Sequence, residues 1–286
     1  MSIRRLCLVM VLSASACGPI DGLEDDAGGE DSGPRIKDSG VTPPHDAGVI
    51  VVDAGMQVVD AGQPPFDAGV PDAGDGLPDP VLFIHGINGS ANDYSAMVER
   101  LKADGWPADR LMTRTFSDPA QGCNVDNANA IKQWATELMA ATRTTRIDLV
   151  AHSMGTLSSR RYLKALGGSA VVNTYVSLGG MNHGLGGSVC LGAQLPDNLG
   201  GRCTWRELCE SMSYVTELNA TPATPGPATW VTIAGGADTT VPNASTFLAG
   251  AENVVVPGVT HDGASGLQQD PMVYEHVKRV LRSAGH

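Results

Sequence analysis

Aromatic residues, closely spaced cysteine pairs and clusters of basic residues are all scarce in this sequence of 286 residues. Only 5% of the residues are aromatic, and Phe66 is the single aromatic residue between positions 18 and 79. A segment so poor in large apolar side chains cannot bury enough surface to fold. No CxxC pair is present, which argues against a zinc site, and no basic patch suggests a nucleic-acid partner. We therefore expect no metal, no cofactor and no bound nucleic acid.

The N-terminus has the pattern of an export signal. Arg4 and Arg5 precede a short apolar run, which is too short to span a membrane and ends in Ala-Ser-Ala-Cys at Cys17. This end resembles a bacterial lipoprotein signal, in which Cys17 is lipidated and becomes the mature N-terminus, although Ala14 stands where Leu is commonest. We predict a lipoprotein-type signal peptide over residues 1–17 and a protein at the outer membrane or cell surface. Ordinary secretory cleavage nearby, with release of the protein, is the alternative.

Residues 18–79 are predicted to be a disordered, acidic tether. The tripeptide Asp-Ala-Gly occurs six times in this segment, and four of the copies are seven residues apart. Each copy brings a glycine and the segment contains several prolines, so the seven-residue period does not indicate a coiled coil. The segment carries 14 acidic and 2 basic residues, whereas residues 81–286 have a net charge of only −2. The acidity of the chain therefore belongs to the tether, which its own charge should extend.

Residues 80–286 are predicted to form one α/β domain. Short apolar runs, typical of buried parallel strands, alternate with segments whose apolar residues recur at helical spacing. Such alternation predicts a mostly parallel sheet of about six strands with helices on both faces. The predicted strands are 81–84, 110–116, 147–151, 171–178, 230–234 and 253–256. The predicted helices are 91–103, 127–142, the stretch after residue 153, a short stretch within 204–218, and 271–281.

Four cysteines remain in the predicted domain after Cys7 and Cys17 are assigned to the signal peptide. An even number of cysteines in an exported chain predicts two disulfides, with three possible pairings that the sequence leaves open. A zinc site is the rival interpretation. Residues 181–228 hold most of these cysteines but show no clean periodicity, so we expect this segment to build a lid or the wall of a substrate pocket. The four residues are Cys123, Cys190, Cys203 and Cys209.

Ser153 lies in the sequence Ala-His-Ser-Met-Gly, between a predicted strand and a predicted helix. Small residues stand two positions before it, at Ala151, and two after it, at Gly155. A tight turn from strand to helix brings backbones close together, and larger side chains at these positions would block it. The pattern is that of the nucleophile elbow of an α/β hydrolase, with Ser153 as the nucleophile.

A serine nucleophile needs a base and an acid, which follow it in this fold in the order acid, then histidine. His261 lies in the loop after the last predicted strand, at the sheet edge that carries the elbow. Asp238 lies in the loop after the preceding strand. We predict His261 as the base and Asp238 as the acid that orients it. Asp262 is a competitor for the second role, but a direct neighbour of His261 points elsewhere along the chain. His183 is a candidate for the pocket lining.

Backbone N–H groups should stabilise the oxyanion of the reaction. One belongs to Met154, the residue after the nucleophile. The other belongs to the loop after the first strand, where Ile87 is our choice and Asn88 the alternative. His85 and His152 are expected to hold the two turns through hydrogen bonds rather than to take part in the chemistry.

Together these motifs resemble the small secreted bacterial lipases, the class 2 triacylglycerol lipases typified by that of Bacillus subtilis. The resemblance runs over most of residues 80–285 and includes the alanine two positions before the nucleophile. It implies a minimal α/β-hydrolase with the triad Ser153, Asp238 and His261, oxyanion donors at Ile87 and Met154, and ester hydrolysis without a metal. Thr156, where that family often has a second glycine, and the longer segment 181–228 depart from the pattern.

The expected function is that of a serine ester hydrolase, a triacylglycerol lipase or esterase acting through an acyl-enzyme. A short-chain carboxylesterase or polyester depolymerase is the alternative within enzymes. A surface-binding module on an inactive hydrolase fold is the alternative outside them, and the complete Ser–Asp–His set argues against it. The expected partners are a lipid or other ester substrate and a membrane reached through the N-terminal lipid anchor. We expect a monomer.

Overall fold

Runs of fully buried apolar residues form the strands of one parallel sheet. The protein is represented by a computed structural model that describes residues 76–284. The predicted signal peptide, the lipidation site at Cys17 and the predicted tether up to residue 75 lie outside the described residues. The strands are β1 (Val81–Ile84), β2 (Leu111–Thr113), β3 (Ile147–His152), β4 (Val172–Leu178), β5 (Thr229–Gly235) and β6 (Glu252–Val256).

The strand order in the sheet is β2-β1-β3-β4-β5-β6, and every neighbouring pair is parallel. The chain moves outward from β1 to β2 and then returns to the other side of β1 to form β3. The order therefore reverses between β1 and β3, and ligands of open α/β sheets bind in the crevice at such a reversal, at the carboxyl ends of the strands. The predicted six-stranded α/β-hydrolase fold is confirmed.

Helices cover both faces of the sheet, as the alternation of strands and helices predicts. Val81 and Phe83 of β1 face a core that is completed by α1 and α8, whereas Leu82 and Ile84 face a second core completed by α2 and α3. Successive strand residues point to opposite faces, so every residue of β1 is buried. These helices are α1 (Ser95–Ala103), α2 (Asn124–Thr142), α3 (Gly155–Ala165) and α8 (Pro271–Ala284).

The remaining helices are short and lie in the connections. The stretch within 204–218 that the sequence predicts as helical forms two helices instead of one. β2 is shorter than predicted, and α2 begins three residues earlier than predicted. The short helices are α4 (Ser188–Gln194), α5 (Cys203–Leu208), α6 (Ser213–Asn219) and α7 (Asn243–Thr246), with 3-10 turns at Ala91–Tyr94, Ala108–Arg110, Gly168–Ala170 and Asp197–Leu199.

Two disulfides fasten the segment 181–228. Cys123, which precedes α2, is bonded to Cys203 at the start of α5, and Cys190 of α4 is bonded to Cys209 after α5. The buried carboxylate of Glu207 adds to the first link because it accepts a hydrogen bond from the N–H of Asn124 in the first turn of α2. The prediction of two disulfides is confirmed, and disulfides indicate an oxidising, extracellular compartment.

A buried arginine ties the same segment to the helix that follows Ser153. Arg160 of α3 is 1% exposed, and its guanidinium donates to the carbonyl oxygens of Asn182 and Leu218 and to Oδ1 of Asn219. No carboxylate forms an ion pair with Arg160 within residues 76–284. Amide and carbonyl oxygens accept from its terminal N–H groups, whereas its Nε has no hydrogen-bond partner there. Burial lowers the pKa of Arg160 to about 10. The segment 181–228 is thereby held against α3 by hydrogen bonds of fixed direction.

Contacts of the folded domain begin before residue 80. The carbonyl of Pro78 accepts a hydrogen bond from Arg110, and the carboxylate of Asp79 accepts one from Asn173. The last residues of the predicted tether are therefore attached to the amino-terminal edge of the sheet. None of the helices within residues 76–284 combines the length and hydropathy that a membrane-spanning helix needs.

A buried carboxyl group in the central strand makes stability depend on pH. Asp148 of β3 is fully buried, and burial, with a smaller contribution from the nearby charge of Asp79, raises its pKa well above the ordinary value. The folded state therefore binds this proton more tightly than the unfolded state. Stability from this group is complete below the unfolded pKa of about 3.9 and is lost as the pH rises through the higher folded pKa.

We therefore expect Asp148→Asn to unfold at a higher temperature than the wild type at pH 8, and at nearly the same temperature at pH 4. The amide has the shape of the protonated carboxyl but no proton to lose. A gain of about 2–8 °C at pH 8 corresponds to a few kcal/mol in a domain of this size. Thermal unfolding followed by circular dichroism from pH 4 to pH 9 measures both curves. Parallel curves for the two proteins would show that Asp148 stays protonated throughout.

Candidate active site

Ser153 stands in a strained turn between β3 and α3. Its φ angle is +54°, in the left-handed region that non-glycine residues rarely adopt. The turn is tight because the N–H of Thr156 bonds back to the carbonyl of Ser153. The side chain is thereby presented at the carboxyl end of β3, next to the reversal of strand order. This is the geometry that the elbow pattern predicts.

Two glycines allow the turn to approach the neighbouring strand β1. A Cβ on Gly155 would collide with the carbonyl oxygen of His85, and one on Gly86 would lie 2.8 Å from Cβ of Ser153. A side chain is therefore excluded at Gly155 by the backbone that follows β1, and not by β3, the strand that leads into the turn. This close approach brings the loop after β1 directly beside the serine.

A continuous chain of hydrogen bonds joins three of the predicted site residues. Oγ of Ser153 lies 2.8 Å from Nε2 of His261, and Nδ1 of His261 lies 2.7 Å from Oδ2 of Asp238. Ser153 and His261 are 2% and 6% exposed. The hydroxyl donates to one ring nitrogen and the other ring nitrogen donates to the carboxylate. The structure thus brings together residues that lie up to 108 positions apart in the sequence.

The carboxylate of Asp238 is held in its ionised form. Burial of this group favours the neutral acid, but hydrogen bonds from His261 and from the backbone N–H groups of Val241 and Thr240 outweigh it and lower the pKa. Asp262, the competitor, makes no hydrogen bond to the ring of His261. Its side chain is 71% exposed, and its nearest charged or ionisable partner is Nε2 of His152, 3.9 Å away.

His85 orients the loop after β1. The N–H of Phe116 donates to Nε2 of His85, so this nitrogen carries no proton and Nδ1 must donate to the carbonyl of Gly86, 2.7 Å away. Burial lowers the pKa of His85, which keeps the ring neutral. The same carbonyl also accepts the N–H of Gly89. In a trans peptide the N–H of Ile87 points opposite to this carbonyl, and so it points away from His85.

The backbone N–H groups of Ile87 and Met154 donate to no protein atom within residues 76–284. Ile87 lies in the loop after β1, and Met154 immediately precedes the first turn of α3, where N–H groups have no partner in the helix. By contrast, Asn88, the alternative donor, already bonds to the carbonyl of Pro119. One of the two free donors therefore lies in the loop after β1, and the other lies in the serine turn itself.

His152 connects the turn of Ser153 to the loop of His261. Its Nε2 lies 3.2 Å from the carbonyl oxygen of His261, and the two rings are 4.6 Å apart. Burial, with a smaller contribution from His261, lowers the pKa of His152 to about 3, so the ring is neutral and donates to that carbonyl. His152 thus has the structural role that the sequence predicts. His183, in contrast, is exposed and bonds to the carbonyl of Phe247, away from the serine.

One group of side chains in the described part of the chain has ligand atoms close enough to hold a metal ion. It consists of His152, His261 and Asp262. Both ring nitrogens of His261 are already engaged, one with Asp238 and one with Ser153. This histidine could bind a metal only by giving up one of those hydrogen bonds.

The serine opens into a small cavity of about 80 Å³, which adjoins a larger cavity of about 650 Å³. Ile87, Asp93 and Asp262 line both of them. Asp93 was not among the residues predicted for the site. The pattern Ser90-x-x-Asp93 forms a capping box at the turn after β1, and this pattern is the signal that could have placed Asp93 beside the serine.

Comparisons with known proteins identify the family and the fold. The sequence profile of the class 2 lipases matches residues 78–279. A Bacillus licheniformis lipase in its mature form is 18% identical, with a TM-score of 0.59 over 72% of this chain and 93% of that one. A Paleococcus ferrophilus monoacylglycerol lipase is 15% identical, with a TM-score of 0.54 over 73% of this chain and 96% of that one. A Legionella pneumophila phospholipase is 15% identical, with a TM-score of 0.58, and this chain covers 59% of it.

The structural neighbours share the α/β-hydrolase fold, and the profile match covers most of the sequence. Their sequence identities to this chain are low, so the structural similarity establishes the fold alone. The resemblance of the motifs to small bacterial lipases is confirmed by the profile. The chain therefore belongs to the class 2 lipase family, a family of carboxylic ester hydrolases.

Proposed function

We propose that this protein is a serine ester hydrolase, a triacylglycerol lipase or esterase, in which Ser153, His261 and Asp238 form the catalytic triad. The hydrogen-bonded chain from Asp238 through His261 to Ser153 carries this proposal. The strained turn at Ser153 adds support because such strain is found at functional sites. The family relationship supplies the reaction class but not the roles of these residues.

The residues would act in two half-reactions. Oγ of Ser153 attacks the ester carbonyl while His261 takes the hydroxyl proton at Nε2. The N–H groups of Ile87 and Met154 stabilise the oxyanion, and the C–O bond to the alcohol breaks as His261 returns the proton to the leaving oxygen. Water then attacks the acyl-enzyme with His261 again as base, releasing the carboxylic acid and restoring Ser153.

Covalent labelling tests the assignment of the nucleophile. A fluorophosphonate should inactivate the enzyme with one phosphonyl group per chain, and peptide mass spectrometry should find that group on Ser153. Ser153→Ala should take up no label under the same conditions. Label on another residue in active protein would contradict the triad.

A lipid substrate is favoured over a small soluble ester by the surface of the cysteine-rich segment. Leu191, Leu195 and Leu199 are 68%, 42% and 66% exposed, and the sequence 183–196 around the first two contains no Asp, Glu, Lys or Arg. Apolar surface of this kind is typical of a binding face for an apolar ligand or membrane. Rates on p-nitrophenyl esters of increasing chain length and on emulsified triglyceride distinguish a lipase from a short-chain carboxylesterase.

We further propose that Cys17 is lipidated and that residues 18–79 tether the domain to the outer envelope. Gly18, which follows Cys17, gives no signal for retention at an inner membrane. A flexible coil of this length would span on the order of 45 Å, and more if its charges extend it. Several acyl chains anchor a lipoprotein firmly, whereas one chain anchors only marginally.

Cys17→Ser should therefore move the protein from the membrane fraction to the soluble fraction or the medium. Membrane fractionation with immunoblotting measures this, and the activity of washed cells provides a second reading. Equal amounts of wild type and variant in the medium would mean that the protein is simply secreted.

A further inference from the structure

The larger cavity beside the serine is walled by the chain that follows His261. It has a volume of about 650 Å³, which is within the range of small-molecule pockets. Asp262, Gln268 and Gln269 form part of its wall, and Asn88 and Asp93 of the loop after β1 form another part. The cavity is thus lined by two carboxylates and three carboxamides.

The position of this wall indicates which part of an ester enters the cavity. In the proposed reaction, His261 must lie next to the leaving oxygen to protonate it. The cavity adjoins this histidine on the side of Asp262. Met181 is an apolar residue of the small cavity that holds the serine, does not line the larger cavity, and packs with Met154 and Leu157. The alcohol part of the ester therefore faces the larger cavity with its two carboxylates, and the acyl chain faces Met181.

Among the described residues, no Lys or Arg forms an ion pair with either carboxylate. Asp262 lies beside His152, whose pKa of about 3 leaves that ring neutral. Asp93 accepts hydrogen bonds from the N–H and the hydroxyl of Ser90. No Lys, Arg or His lines the larger cavity, and Arg100 donates to the backbone carbonyl of Gln269 in its wall rather than to a carboxylate. The charged groups that line the cavity are therefore both negative.

From this arrangement we propose that Asp262, with Asp93, makes the enzyme selective for esters whose alcohol part carries a positive charge. The inference rests on the proposed function, because it assumes that Ser153 and His261 cleave the ester. A cationic alcohol part is attracted by both carboxylates, whereas an anionic one is repelled. Asp262 is a specificity-determining residue in this proposal and takes no part in bond breaking.

An isosteric pair of esters isolates the charge. Choline butyrate and 3,3-dimethylbutyl butyrate have the same shape, since a carbon replaces the quaternary nitrogen. We expect the mature full-length wild type to favour the choline ester in kcat/KM by about three- to tenfold at low ionic strength, as for charges several ångströms apart near a protein surface. The preference should shrink in 1 M NaCl, where the screening length is about 3 Å.

Asp262→Asn should lower the ratio of the two kcat/KM values by about threefold. Asp109→Asn is the matched control. It makes the same change in charge at an exposed position before β2, at the opposite edge of the sheet, and should keep the wild-type ratio. A wild-type ratio of one or less, or a ratio that Asp262→Asn does not change, would overturn the proposal.

Binding to Ser153→Ala gives a reading that does not depend on hydrolysis. Choline and 3,3-dimethylbutanol are titrated into this variant and into the double variant with Asp262→Asn. Tighter binding of choline that the second substitution removes supports the cavity proposal, even if no tested ester is cleaved and the proposed function fails. Equal binding of the two alcohols contradicts it, even if ester hydrolysis is established.

Discussion

Ser153→Ala should reduce ester hydrolysis by about 10³-fold or more and leave a folded protein. The substitution removes the hydroxyl that is hydrogen-bonded to His261, but alanine keeps the Cβ in the strained turn. Oxyanion stabilisation and substrate binding remain, so the expected loss in kcat is about 10³-fold or more rather than complete. Hydrolysis of p-nitrophenyl butyrate by the purified variant, with circular dichroism to verify folding, measures the effect.

Ser159→Ala is the matched control for this experiment. Ser159 is a buried residue of α3, the helix that follows Ser153, and its hydroxyl has no hydrogen-bond partner within residues 76–284. The control therefore removes the same chemical group from a nearby buried position without touching the triad, and its kcat should stay near that of the wild type. Near-normal activity of Ser153→Ala would refute the assignment of the nucleophile.

Asp238→Asn should reduce kcat by about 10³- to 10⁴-fold, whereas Asp262→Asn should leave it nearly unchanged on a neutral ester. The amide of asparagine can donate to Nδ1 of His261, which would place the ring proton on Nε2. That nitrogen could then no longer accept the proton of Ser153. Asp262 makes no hydrogen bond to the ring and is largely exposed, so its neutralisation leaves the tautomer of His261 intact.

Both variants carry the same change in charge within the same region, so each is the control for the other. Their kcat values on 3,3-dimethylbutyl butyrate are compared at one pH. The reverse ranking would mean that Asp262 is the acid. A small effect of both would mean that the orientation of His261 depends on the protein around it rather than on a carboxylate.

Much of the fold could be predicted because the strands are short apolar runs between clear turn signals. β1 and β3 are buried along their whole length, so their sequences contain few polar residues to confuse the pattern. β2 is the exception. It lies at the edge of the sheet and its three residues are only partly buried, so the alternation of 110–116 predicts a longer strand than the one that forms.

The pairing of the cysteines could not be predicted for a different physical reason. Residues 181–228 have little periodicity. Their position depends on hydrogen bonds that Arg160 donates to backbone carbonyls and on one that Glu207 accepts from a backbone N–H far away in sequence. Backbone partners leave no pattern of residue types. The cavity beside Ser153 could not be predicted either. Its wall is formed by two loops that are far apart in the sequence, so the sequence of neither loop alone indicates a cavity.

The pairing of β1 with β3 has a consequence at the far end of the sheet. Ile87 follows β1 and Ser153 follows β3. The register of these two strands is fixed at their start by a hydrogen bond from the N–H of Asp148 to the carbonyl of Pro80. Asp148 lies five residues before Ser153 in the extended chain, so this hydrogen bond is about 17 Å from the serine. A slip of one residue would displace one oxyanion donor by about 3.3 Å and turn each side chain to the opposite face. A substitution that removes this N–H, such as Asp148→Pro, can therefore misalign the reaction centre from a distance, and screens confined to residues near Ser153 would miss it.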